Sequence, residues 1–173
     1  MTTLNYKDFT VKAKLKDIES IESILTDIDA KYIGLDLQTD HYFEIQKGKL
    51  KWRHGTIENL ITHYERVFKF GIERTIVYRY DLNPTGDQIK ELKENHIEID
   101  VIRKERKIYL IDNVKVHIDK LSSGRQFIEI EAIDRSGKFS DNELIAQCHD
   151  LKLKLGIANQ DLVQTGYLTD KSK

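Results

Sequence analysis

The sequence predicts an α+β chain in which about eight antiparallel strands close into a barrel, flanked by about three helices. Three observations carry that expectation. Segment after segment alternates charged with aliphatic residues, the mark of a strand whose two faces meet different surroundings. Three further segments place aliphatic residues at helical spacing and need an apolar surface to cover. The charges on the alternating strands are mostly of one sign, although the chain as a whole carries a net charge of only -1.

The elements follow in order. Along residues 9–16, Thr10, Lys12, Lys14 and Lys16 share one face of a strand, and Phe9, Val11, Ala13 and Leu15 share the other. Residues 17–28 read as a helix with Asp17 as N-cap and Ile18, Ile21, Ile24, Leu25 and Ile28 on one stripe. Strands are expected at 38–45, 50–53, 60–66 and 75–80; in the second, Lys51 and Arg53 oppose Leu50 and Trp52. A short helix over 85–95 follows the only proline, Pro84. In 102–106, Lys104 and Arg106 share a face. Across 113–119, Asn113, Lys115, His117 and Asp119 oppose Val114, Val116 and Ile118, and near 127–131 Glu129 and Glu131 oppose Ile128 and Ile130. The last helix, 141–155, carries Leu144, Ile145, Cys148, Leu151 and Leu155 and stops at Gly156.

An open sheet with its charges in water explains any one of these strands. It explains the set poorly. Helices that cover the aliphatic faces leave the charged faces to turn toward one another, and they do so only if the sheet curls into a barrel. The expected lumen holds Lys12, Lys14, Lys51, Arg53, Arg66, Lys104, Arg106 and Lys115 against Asp119, Glu129 and Glu131, eight cations to three anions. Burying an ammonium unpaired costs several kcal/mol, so such a lumen is wet and favours a multiply charged anion. A barrel for an apolar ligand is excluded.

At 173 residues the chain fits one domain, 1–173, with no repeat or linker to divide it. Near-neutral bulk charge does not mark a nucleic-acid binder, and the cations share strands with acids rather than with stacking aromatics. Cys148 is the only cysteine, so neither an internal disulfide nor a cysteine zinc cluster is expected. The start, MTTLNYKDF, lacks a signal peptide's apolar run, and no stretch approaches the roughly 18 apolar residues of a membrane span. A soluble, cytoplasmic protein is expected, with no membrane or nucleic-acid partner.

The motifs, taken together, resemble the CYTH family, the triphosphate tunnel metalloenzymes. Gln38-Thr39-Asp40-His41-Tyr42-Phe43 is similar to the family's QxDxYF strand, and Gly48-Lys49-Leu50-Lys51-Trp52-Arg53 to its GxLRxR. The stretch from Leu60 to Arg66 resembles LIxYxR, and Ile102-Arg103-Lys104-Glu105-Arg106, with Tyr109 after it, resembles VxKxR. Asn113 to Asp119 resembles the NxxxHxD strand of the adenylyl cyclase-like branch, and Gly124 to Glu131 the GxFxExE signature. The tail, Leu155-Gly156-Ile157 to Asp161-Leu162 and then Tyr167, is similar to the family's ending. One motif departs. Where the family has ExExK, this chain has Asp8-Phe9-Thr10-Val11-Lys12, which keeps the lysine, shortens the first glutamate and replaces the second with threonine.

The resemblance implies that Lys12, Lys51, Arg53, Arg66, Lys104 and Arg106, with Lys115 beside them, bind phosphate oxygens. It implies that Asp119, Glu129, Glu131 and Asp8 hold Mg²⁺ or Mn²⁺, with at least one metal position weakened by Thr10. His117 is expected to be a lumen-lining hydrogen-bond partner rather than a general base. The implied ligand is a triphosphate: ATP, thiamine triphosphate or inorganic triphosphate. The implied function is a metal-dependent adenylyl cyclase or triphosphatase, and the alternative is a non-catalytic triphosphate or polyphosphate sensor. Family members can be dimers, which leaves a homodimer open.

Overall fold

A computed structural model describes residues 6–69 and 71–163. In chain order its elements are β1 (Lys7–Lys14), α1 (Ile18–Asp27), β2 (Lys31–Phe43), β3 (Lys49–His54), β4 (Asn59–Lys69), β5 (Ile72–Leu82), α2 (Gly86–Asn95), β6 (Glu98–Ile111), β7 (Val114–Leu121), β8 (Gln126–Asp134) and α3 (Asp141–Lys154). A short 3₁₀ helix, Asn159–Asp161, follows. The strands close a barrel in the order β1-β5-β4-β3-β2-β6-β7-β8, and every neighbouring pair is antiparallel. The expected closed barrel with flanking helices is therefore the observed fold. Tyr167, part of the expected family ending, lies outside the described residues.

Local chemistry starts each helix. The Asp17 carboxylate accepts from the Ser20 N–H at 3.1 Å and caps α1. Thr85 and Gln88 form a reciprocal capping box at α2, as Ser140 and Glu143 do at α3. Past the end of α3, Gly156 takes the left-handed conformation that a helix stop favours (φ 68).

The helices cover the aliphatic outer faces of the barrel in two patches. Leu25 of α1 and Leu144, Cys148 and Leu151 of α3 pack over Val11 and Ala13 of β1, Val116 of β7 and Ile130 of β8. Leu92 of α2 packs with Phe43, Leu50 and Ile61 over β2, β3 and β4. Each aliphatic side chain buried in this way contributes roughly 1.5–3 kcal/mol.

On the first half of β2 the outer aliphatic face is open to water instead. β2 begins at Lys31, well before the expected residue 38, and its early leucines face outward: Leu35 is 46% and Leu37 53% exposed. Their polar neighbours Asp36, Gln38 and Asp40 are the buried ones. A second correction concerns Lys14, the last residue of β1, which is exposed rather than in the lumen. Glycine is required where β2 turns into β3. Gly48 has φ 72, and a Cβ there would sit 2.3 Å from the Tyr64 carbonyl oxygen. Among the described residues no helix is long and apolar enough to cross a membrane.

Candidate anion-binding tunnel

Strand parity decides what faces the lumen. Asp8, Thr10 and Lys12 lie on one face of β1 and are all buried. Lys51 and Arg53 come from β3, Arg66 from β4, Lys104 and Arg106 from β6, and Lys115 and His117 from β7. Glu129 and Glu131 of β8 complete the ring. All seven cations expected to bind substrate line one cavity of about 820 Å³, its open mouths included. Arg135, Tyr6 and Tyr80 also line it and had no motif to announce them.

The expected excess of eight cations over three anions is too large, because the barrel brings in its own counter-ions. Asp40 is fully buried and accepts two bonds from Arg53, at 2.8 and 2.9 Å, and one from Lys104 at 2.5 Å. The Lys51 ammonium lies 3.9 Å from the same carboxylate. Arg106 holds Asp119 through two bonds of 2.7 Å. Arg66 donates to Glu129 at 3.0 Å and to Glu73 at 3.3 Å. Glu58, from the loop between β3 and β4, reaches Arg53, Arg106 and Lys115. A desolvated cation without such a partner costs several kcal/mol, and this is the physical reason for the acids. Burial alone would raise the carboxyls of Asp40, Glu58 and Glu129, but their cationic neighbours outweigh it and hold all three below the usual carboxylate range.

Some buried polar atoms of the tunnel wall are left over. The Arg66 Nε, the Thr75 Oγ1 and both ring nitrogens of His117 have no hydrogen-bond partner among the described residues, and all three side chains line the cavity. The expected hydrogen bond of His117 is absent there, its Nε2 standing 3.7 Å from Glu131. Burial, reinforced by Arg106 and Lys115, keeps its imidazole neutral by lowering its pKa well below the usual value. Unpaired buried donors are rare in folded proteins and mark places where a ligand or water completes the bonding.

The lysines are tuned by the same burial. Lys12 is lowered to about 7, by desolvation first, with Glu129 opposing and Arg66 adding to the shift. Lys104 is lowered to about 8, again by desolvation, with Asp40 opposing. An anion in the tunnel favours the protonated form of both, so binding takes up protons and affinity falls as pH rises through these values. Calorimetric titration with inorganic triphosphate at pH 8, in buffers of different ionisation enthalpy, is expected to show proton uptake that shrinks in Lys12→Arg. Heats independent of the buffer would contradict it.

Two carboxylates, Asp8 and Glu131, meet around a tyrosine hydroxyl. The Tyr6 hydroxyl donates to Asp8 at 2.9 Å and contacts Glu131 at 3.3 Å. Burial first, and Asp8 second, push the Glu131 carboxyl up to about 8. Acids pressed together in this way fit a hard divalent ion, which would replace the proton that Glu131 otherwise retains. Asp119 and Glu129, expected beside them, are instead turned to Arg106 and Arg66. Among the described residues no group of three or more His, Cys, Asp or Glu has an arrangement that holds a metal. The protein thus offers two carboxylates, a number that suits Mg²⁺ or Mn²⁺ when substrate phosphates and water supply the other ligands.

A family model described as CYTH domain matches residues 9–167. A protein of Pyrococcus horikoshii has a solved structure of the same fold, with 23% sequence identity and a TM-score of 0.78 over 94% of this chain and 98% of that one. A proposed adenylate cyclase of Vibrio parahaemolyticus superposes with a TM-score of 0.72 at 13% identity, over 96% of this chain and 98% of its own. A Hippeastrum protein with a dominant triphosphatase activity matches at 12% identity and a TM-score of 0.58, over 87% and 88% of the two chains. No curated protein matches the sequence.

Proposed function

The chain belongs to the CYTH family, and from that premise we propose that it grips a small-molecule triphosphate in its tunnel and hydrolyses it with a divalent ion. One observation carries the reading: buried polar atoms without partners, on Arg66, Thr75 and His117, line the same cavity as the cationic side chains. Those atoms support a reading in which a polar ligand completes the bonding of the tunnel wall. The hydrolytic assignment draws on the dominant triphosphatase activity of the Hippeastrum neighbour.

Lys12, Lys51 and Lys104 act as point charges on phosphate oxygens, while Arg53, Arg66 and Arg106 offer planar forks suited to two oxygens at once. Fixed charges in a partly dry lumen need no reorganisation as charge develops on the phosphoryl group. Asp8 and Glu131 would hold Mg²⁺ or Mn²⁺, which when bound would polarise the phosphates and offset their charge. Tyr6 orients that carboxylate pair through its hydroxyl.

A second reading, a triphosphate sensor without turnover, is favoured by the pairing of Glu129 with Arg66 and of Asp119 with Arg106. Thr10, buried beside Asp8, adds no charge for a second ion.

The deciding experiment incubates purified protein with ATP, thiamine triphosphate and inorganic triphosphate, each with Mg²⁺ or Mn²⁺, and identifies the products. Phosphate release is expected. Cyclic AMP with pyrophosphate would replace hydrolysis with cyclisation. Tight binding that Arg53→Ala abolishes, without any product, would establish the sensor.

A further inference from the structure

We propose that Glu58 closes one end of the tunnel and sets the length of phosphate chain it accepts, admitting triphosphate and rejecting longer polyphosphates. The inference rests on the triphosphate-binding reading above and assigns a specificity role within that site. Its ground is the reach of a single carboxylate. Glu58 accepts from Gln38 Nε2 at 2.8 Å, lies 3.4 Å from Arg53 and 3.5 Å from Arg106, and contacts the Lys115 ammonium. Those partners stand on β2, β3, β6 and β7, which are consecutive in the barrel wall. A loop side chain that contacts four adjacent strands of eight and also lines the cavity stands over that half of the lumen at the loop's end of the barrel.

The loop that delivers Glu58 is held firmly. Asp36 is fully buried and accepts from the Ile57 N–H at 2.8 Å, the Glu58 N–H at 2.9 Å and the Thr56 hydroxyl at 3.0 Å. Gln38 donates to Asp36 at 2.8 Å and so bridges the two carboxylates. The loop folds so tightly over Asp36 that a Cβ at Gly55 would meet its carboxylate at 2.6 Å and the Glu58 carbonyl at 2.7 Å. Four bonds on Asp36 orient the loop, so Glu58 is a fixed end-stop and not a side chain that swings freely into solvent.

Electrostatics gives the stop its selectivity. Arg53, Arg106 and Lys115 would otherwise draw a phosphate, and Glu58 spends part of their charge at that end of the tunnel. Lys12 on β1 and Arg66 on β4 stand on strands outside that group of four and line the rest of the cavity. A fourth phosphate advancing along the lumen meets a carboxylate in place of free cations, at a distance where like charges in a low-dielectric cavity repel strongly.

The test measures metal-free binding of inorganic triphosphate, inorganic tetraphosphate and a long linear polyphosphate to wild type, Glu58→Ala and Glu58→Gln. Wild type is expected to prefer triphosphate. Glu58→Ala is expected to shift the affinity ratio toward the longer chains by about tenfold or more. Glu58→Gln preserves the side-chain volume and the bond from Gln38; it is expected to shift the ratio in the same direction by less, and it serves if the alanine variant does not fold. An unchanged ratio overturns the proposal, including the case in which all three anions gain affinity equally. Failure of wild type to bind any of the three overturns the triphosphate reading together with this one, whereas binding with an unchanged ratio overturns this one alone.

Discussion

The Asp40→Asn substitution is expected to lower the unfolding free energy of the ligand-free protein by about 3–5 kcal/mol, the range found when one partner of a buried ion pair is removed. The carboxylate has no exposure to water and holds Arg53 and Lys104 directly, with Lys51 nearby. An amide keeps the shape and one hydrogen-bond acceptor but leaves those cations facing one another. The loss has an unusual remedy. Inorganic triphosphate supplies the missing negative charge, so saturating ligand is expected to stabilise the variant by more than it stabilises wild type. For wild type a hundredfold excess over Kd adds about 2.7 kcal/mol by mass action. Urea denaturation with and without the ligand reads both effects, with Glu91→Gln on the exposed side of α2 as a control. Equal stability of variant and wild type, or equal gains from ligand, would remove Asp40 from its role as internal counter-ion.

Glu131→Gln is expected to lower turnover by at least about 100-fold, the upper range for disturbing the surroundings of a metal, while metal-free triphosphate binding stays the same or tightens. The variant keeps the side chain's length but has no proton to exchange for an ion, so on the proposed metal-binding reading Asp8 alone would be left to hold it. A readout independent of turnover is the binding of Mn²⁺ by calorimetry, which should weaken in parallel. The sign of the pH effect follows from Glu131, whose carboxyl is raised to about 8 by burial and by Asp8. A divalent ion must displace that proton, so its affinity falls as pH falls through about 8, and wild-type turnover should fall with it. Retained turnover and Mn²⁺ binding in Glu131→Gln would move the metal elsewhere in the tunnel.

The barrel and the basic half of its lumen were legible in the sequence because both rest on period. Lys12, Lys51, Arg53 and Lys115 sit on strands that alternate cleanly, and parity alone sends them to one side; Lys104 and Arg106 share a face on a strand whose alternation is weaker. The counter-ions were harder to read. Asp40 shares parity with Gln38 and Tyr42, but its pairing with Arg53 is created by the β2–β3 register, which places the two residues opposite each other. Glu58 stands in a loop, where no period exists to say which way a side chain points. Asp36 lies before the strand expected at 38–45; in the fold its neighbours Leu35 and Leu37 point to water and the acid is buried. The acids of the β8 face were half legible. Strand spacing puts Glu129 and Glu131 on one face, yet only the assembled barrel shows Arg66 taking the first and Asp8 joining the second.

Closure of the barrel has a consequence for how the chain is made. β1 leaves the ribosome before the other strands, and its long partnership is with β8, from Lys7 opposite Asp134 to Lys14 opposite Phe127. Its contact with β5 is brief, Asp8 to Thr10 against Thr75 to Glu73. At about 5–20 residues per second, the opening strand therefore spends many seconds of synthesis with one edge unmatched, exposing Phe9, Val11 and Ala13, which the finished protein covers. The interval between the first strand and the last is when a nascent chain of this topology depends most on being kept from its neighbours.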